Sequence, residues 1–299
     1  MPASSPPRTS DPARAGAAHS GNPGTCAHAA APGRDALAHP WLAALVLVAL
    51  GASGCSREAA SPSPVPLPGA PAAFSTRMLD AGAQVLQDRQ PIDAIHSYLN
   101  GFHFYSGRLD AQMEAHHYCT LLNEEVIQCV LFDGNQRGAR MTGVEYIISA
   151  RLFARLPAAE KPLWHSHVHE VRSGQLRAPG IPAFAETRLM ERLVGTYGKT
   201  WHTWHTDAGE SLPLGVPQLM MGFTADGQLN PALLARRDAR LESDSAAVRA
   251  RRAALPAPAP DPAADAWQHG AAFQIPPPGG PSASHGAPAA PAAPAAVPQ

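Results

Sequence analysis

Three histidines stand at alternate positions in the string LWHSHVHE, residues 163–170. Side chains on an extended strand alternate between its two faces, so His165, His167 and His169 would project together. Imidazoles gathered on one face suit zinc, which binds neutral nitrogen at about 2.0 Å and takes four ligands in a closed site. His116, His117, His202 and His205 could supply further ligands, and Glu170 closes the string. The opposing reading is a polar strand whose histidines hydrogen-bond backbone carbonyls or Glu170, because two imidazoles alone hold a divalent ion poorly. On that balance the expectation is no catalytic residue and no cofactor, with zinc as the alternative.

Other chemistries find less support. HEVRS lacks the second histidine of a zinc-protease helix, and TYGKT at 196–200 has Leu193 where a phosphate-binding loop needs its first glycine. No serine sits in a G-x-S-x-G elbow. Glu124 and Glu125 are adjacent, so on a strand they face opposite ways and form no carboxylate pair. Trp201 and Trp204 flank His202 and read as core or as a binding wall. Residues 73–254 carry 19 Lys/Arg against 19 Asp/Glu with no basic stripe, which excludes a nucleic-acid partner.

The elements that must position these residues follow from periodicity. Residues 74–88 have helical spacing, and Pro91 opens a second helix carrying Ile92, Ile95 and Leu99. VIQCVLFDG (126–134) and ARMTGVEYII (139–148) read as strands joined by the turn residues DGNQRG. A short helix at 149–156 stops before Pro157. A strand is expected at 164–172, a helix at 185–194, a β-rich stretch at 200–224 and a helix after Pro231. LPLGVPQLMMGF (212–223) is too short to span a membrane and reads as a buried strand. This mixed order gives an α+β single domain with an antiparallel-rich sheet, flanked by disordered Pro/Ala-rich ends.

Twelve prolines fall in residues 1–72 and twelve more in 255–299, so the body lies between. The boundaries are a leader at 1–54, a Pro-rich tether at 55–72, the domain at 73–275 with an Ala/Pro linker at 256–264, and a tail at 276–299. DAWQHGAAFQI (265–275) should dock on the body, since Trp267 and Phe273 are costly to leave exposed. The tail has no charge and too little apolar surface to order itself.

The apolar run WLAALVLVALGA (41–52) has the length of a secretory signal core and ends in Ala-Ser-Gly-Cys, a lipobox pattern that makes Cys55 a lipidation site. The expected location is a bacterial cell envelope, lipid-anchored at the outer membrane, with a periplasmic or secreted form as the alternative. The 21 arginines against two lysines fit a GC-rich bacterial genome. Cys119 and Cys129 could then pair in an oxidising compartment or remain buried thiols.

HHYCTLLNEEVIQCVLFD (116–133), ARMTGVEYIIS (139–149), LWHSHVHEVRSG (163–174), TYGKTWHTWHTDAGESLPLGVPQLMM (196–221) and DAWQHGAAF (265–273) together resemble the oil body-associated protein family over about residues 73–275. The resemblance implies association with lipid and no assigned reaction. The family pattern includes His117, His165, His167, Glu170, Trp204, Asp207 and Gly209, with His169 and His205 as departures. Cys129 matches the family pattern while position 119 is variable in it, so the resemblance does not imply a disulfide. The resulting reading is a non-catalytic, lipid-anchored protein whose partners are the membrane and lipids. The alternative is a metal-binding or hydrolase-like protein built on His117, His165 and His167, with Glu170 and Asp207 in reach.

Overall fold

A computed structural model describes residues 59–279. The apolar run at 41–52, Cys55 and residues 280–299 of the tail lie outside the described residues. Seven strands form one antiparallel sheet: β1 (Ser97–Tyr105), β2 (Arg108–Leu121), β3 (Val126–Phe132), β4 (Met141–Ser149), β5 (His165–Ser166), β6 (Thr196–His202) and β7 (Gln218–Met221). The order is β4-β3-β2-β1-β7-β6-β5, and a further pairing of β4 with β6 closes six of them into a barrel. The α+β expectation with an antiparallel-rich sheet holds, and closure into a barrel adds to it. Closure leaves no free strand edge along the paired region and creates a narrow interior.

Cross-strand register fixes what that interior contains, because directly paired residues project to the same side. Leu99 pairs with His117 and His103 with Met113; Cys129 pairs with Cys119 on one side and Glu145 on the other. Glu145 then pairs with Thr200, and Gly198 pairs with both Ile147 and His165. Cys119 and Cys129 form a disulfide across β2 and β3. The pairing left open by the sequence, and not implied by the family pattern, is therefore made.

Seven helices flank the barrel among the described residues. Two precede it, α1 (Phe74–Leu86) and α2 (Gln90–Asp93); α2 is a single turn, and Leu99, expected on its face, belongs to β1. The expected short helix is α3 (Ala150–Ala154), with the Ser149 hydroxyl capping Leu152 N–H. The expected strand at 164–172 is a correction. Only His165 and Ser166 are extended; His167 caps α4 (Val168–Ser173), which ends at Gly174 in the left-handed conformation, φ 80°. Next come α5 (Ala183–Leu193), α6 (Pro231–Arg240) and α7 (Ser245–Arg252).

Three of the four apolar clusters among the described residues hold these layers together. Leu99, Leu131 and Ile147 meet Val171 of α4, Met190 and Leu193 of α5, and Leu255. Phe102, Phe104, Leu219 and Met221 project the other way and are covered by Phe223, Leu233, Leu234, Trp267 and Phe273. Ile148, Phe153, Trp164 and Tyr197 form the third. The segment around Trp267 docks as expected. The Pro-rich stretch is not a free spacer throughout: Ser61 N–H donates to Asn135 Oδ1 (2.7 Å) and Ser63 Oγ to Asp133 Oδ2 (2.6 Å), tying it to the β3–β4 turn. Among the described residues, no helix is long and apolar enough to cross a membrane.

Candidate functional site

Period-two alternation turns one residue in two of each strand into the barrel, and several of those residues are histidine or glutamate. β1 supplies His103, β2 His117, β4 Glu145, β5 His165 and β6 His202, while the start of α4 adds His167 and Glu170. All seven are buried, and His165 is 0% exposed. The three histidines nominated from the sequence converge on one carboxylate. His117 Nε2 lies 2.9 Å from Glu145 Oε2, His167 Nε2 3.2 Å from Oε1 and His165 Nε2 3.7 Å from Oε1. His103 Nε2 joins them at 3.5 Å from Glu145 Oε2 and 3.3 Å from His117 Nε2. Glu170 Oε2 stands 4.0 Å from His167 Nε2.

Space for this cluster comes from glycines. A Cβ at Gly198 would sit 2.3 Å from Glu145 Oε1 and 2.7 Å from His165 Nε2. One at Gly222 would lie 2.8 Å from the Glu170 carboxylate and 2.9 Å from the His165 ring. Both distances are below van der Waals contact, so any larger residue displaces the site. The cavity left among Gly101, His103, His117, Glu145, His167 and Glu170 is about 10 Å³. That admits one water or one ion and no organic substrate.

Burial sets the charge states. It holds the imidazoles of His103, His165 and His202 below their ordinary value, in the neutral form. Burial alone would raise Glu145, but the imidazoles of His103, His117 and His167 around it keep its carboxyl well below the usual range. Glu170 is pushed well above that range by burial and by the charges of Glu145 and Asp265. The cluster therefore offers neutral imidazole nitrogens and an ionised Glu145 carboxylate to a cation.

The remaining candidates lie elsewhere. His116 faces away from His117 and bonds through Nδ1 to the Tyr98 hydroxyl at 2.7 Å. His205 and Asp207 meet at the Tyr105 hydroxyl, which donates to Asp207 Oδ1 at 2.8 Å. His169 points toward Gln175 and Asp226. Trp204 donates from Nε1 to the Glu210 carbonyl. The residues missed by the sequence are His103 and Glu145. Each stands alone in an apolar strand, and only pairing register could have found them.

Beside the buried cluster the molecule carries two exposed apolar features. None of the residues of α1 is buried, and Phe74, Leu79, Val85 and Leu86 are 72%, 76%, 82% and 84% exposed. A groove of about 450 Å³ is lined mainly by Ile92, Ile95, Tyr118, Val130, Phe132 and Met141.

Residues 89–256 match the family described as a protein of unknown function, DUF1264. The chain is 48% identical over 169 residues to oil body-associated protein 1A of Zea mays, covering 56% of this chain and 71% of that one. It is 40% identical over 192 residues to oil body-associated protein 1B of Arabidopsis thaliana, covering 64% and 80%. It is 39% identical over 230 residues to oil body-associated protein 2B of Zea mays, covering 75% and 91%. No solved structure matches the chain. These relatives overturn the outer-membrane location read from residues 41–55: they are plant proteins whose names associate them with oil bodies, not bacterial envelope lipoproteins.

Proposed function

The chain belongs to the DUF1264 family of oil body-associated proteins, and from that premise we propose that it is a non-catalytic protein that associates with a lipid surface through α1. The observation that carries this reading is the uncovered apolar arc of that helix. At 100° per residue, Phe74, Met78, Ala81 and Val85 fall on one side with Leu79 and Leu86 adjoining, while Thr76, Arg77, Asp80 and Gln84 occupy the other. Such a helix lies in an interface with its apolar face among acyl chains. Arg77 and Asp80 balance, so apolar burial rather than attraction to anionic headgroups drives insertion. The names of the relatives support the same class of partner. Cys55 is not needed for this mode of attachment.

The test is flotation of the full chain with triacylglycerol droplets coated in phosphatidylcholine. We expect the wild type to float with the droplets and the Leu79→Glu/Leu86→Glu double variant to lose at least tenfold in bound fraction, about 1.4 kcal/mol or more. Its melting temperature should not change, because neither residue is buried. Raising salt should leave wild-type flotation intact. A wild type that stays in the aqueous phase, or a variant that floats equally well, sinks the reading.

A further inference from the structure

We propose that the barrel interior holds one divalent transition-metal ion, bound by Glu145 and the imidazoles of His103, His117 and His165, with His167 and Glu170 completing its surroundings. Spacing is the first support. In a tetrahedral site with bonds of about 2.0 Å the donor atoms lie about 3.3 Å apart. His103 Nε2 and His117 Nε2 are separated by 3.3 Å, and they stand 3.5 and 2.9 Å from Glu145 Oε2. The donor atoms of His103, Glu145 and His165 all lie within 4.8 Å of one another, as do those of His165, His167 and Glu170.

Hydrogen bonding alone does not account for the cluster. A neutral imidazole offers one donor and one acceptor, and buried polar atoms are nearly always paired. Here both nitrogens of His165, the Nδ1 atoms of His103 and His117, and Glu145 Oε2 have no hydrogen-bond partner. His117 Nε2 is paired with His103 Nε2 at 3.3 Å, and Glu145 Oε2, 2.9 Å from it, is left without a hydrogen-bond partner. His165 is the sharpest case: an imidazole 0% exposed, with neither nitrogen bonded, aimed at a carboxylate. The pieces around it fit a ligand sphere. His167 is oriented by a 2.8 Å hydrogen bond from Nδ1 to Thr196 Oγ1, the outer support that ligand imidazoles usually have.

Charge and donor type narrow the ion. Two carboxylates, when ionised, balance a divalent cation, and a buried ion without such balance is very costly. Imidazole nitrogen with carboxylate oxygen suits zinc, iron or manganese rather than calcium or magnesium, which take oxygen ligands. Cys119 and Cys129 are joined in a disulfide and offer no thiolate. With a 10 Å³ cavity the site has no open position for a substrate, so the ion acts as an internal cross-link among β1, β2, β4 and β5. One buried water in the same cavity is the rival occupant.

The experiment uses the full chain. Metal content is measured on protein purified from metal-replete medium. The protein is then stripped with chelator and titrated with cobalt(II), followed by zinc. We expect about one equivalent of bound metal, a cobalt d–d absorption that zinc displaces, and a clear fall in melting temperature after stripping. Glu145→Gln and His165→Gln should each weaken cobalt binding more than tenfold, while His116→Gln, on the opposite face of β2, keeps it. No stoichiometric metal on isolation and no cobalt signal on titration overturns the proposal. So does full binding by Glu145→Gln and His165→Gln. If those variants fail to fold, the wild-type cobalt spectrum decides alone.

Discussion

His116 and His117 are neighbours in sequence, and strand geometry gives them separate lives. His117 points into the barrel toward Glu145, whereas His116 points out, stacks 6.0 Å from the Tyr98 ring and bonds to its hydroxyl. Burial, helped by the nearby positive charge of Arg240, pushes the His116 imidazole down to about 3. The unfolded chain protonates this residue near pH 6.5 while the folded protein resists until about pH 3. Between those values the unfolded state binds the extra proton, so stability falls as pH is lowered through the window. The slope approaches about 1.4 kcal/mol per pH unit for one such group. Urea midpoints at pH 7.5, 6 and 5 should show this decline, and His116→Gln should make it less steep while His103, His165 and His202 still contribute. An equally steep decline in the variant would show that other groups carry the acid sensitivity.

At the scale of elements, α4 does the positioning that a strand was expected to do. It is six residues long and would not form alone, since isolated helices need more than about 12 residues. The carbonyls at its C-terminal end and in the turn that follows are held by two buried guanidinium groups from later helices. Arg237 donates to the carbonyls of Gly174 (3.1 Å) and Gln175 (2.7 Å) and to Asn100 Oδ1 (3.1 Å). Arg252 donates to the carbonyls of Val171 (3.1 Å) and Leu176 (2.6 Å). Positive charge at a helix C-terminus also opposes its dipole. The fork therefore fixes the helix that delivers His167 and Glu170. Arg237→Met removes the guanidinium from over the Phe102 ring and takes its donors from the carbonyls of Gly174 and Gln175 and from Asn100 Oδ1, while Asp238 keeps its bonds from Ser245. We expect a loss of about 3 kcal/mol or more in urea unfolding. Arg237→Lys should recover little of it, because an ammonium cannot make the forked bonds. A loss below about 1 kcal/mol would mean that water replaces the guanidinium at little cost.

For the whole molecule the weak point is the seam where β1 meets β7. Only two residue pairs join them, Phe104 with Met221 and Tyr105 with Met220. The C-terminal segment reinforces that seam. Gln274 accepts from Leu219 N–H (2.8 Å) and donates to the carbonyls of Leu219 (2.9 Å) and Ser106 (3.2 Å). Trp267 packs edge-on against Phe104 at 4.8 Å, and Asp265 accepts from Ser166 N–H and Oγ. Trp267→Ala should cost about 2 kcal/mol, less than a fully buried tryptophan because this one is only partly buried. Amide exchange should then rise first in β7. Exchange unchanged in Gln218–Met221 would show that the seam closes without this cover.

The sequence by itself determined the parts whose signals are local. Helices α1, α3, α5 and α6, the β3–β4 hairpin and the docked Trp267 segment all follow from periodicity, turn residues or the cost of exposing tryptophan. The alternation of His165 and His167 was legible in the string LWHSHVHE, while His117 joined them through the family resemblance. The tertiary structure alone decided the rest. β1 and β2 gave no amphipathic signal, because a closed barrel under a helical layer buries both faces of its strands. Its interior face is polar where the chemistry sits, so His103 and Glu145 break the apolar alternation that would have marked it. Whether six strands lie open or close on themselves depends on the pairing of β4 with β6, between residues some fifty positions apart. That pairing makes three scattered histidines and one glutamate into a single site.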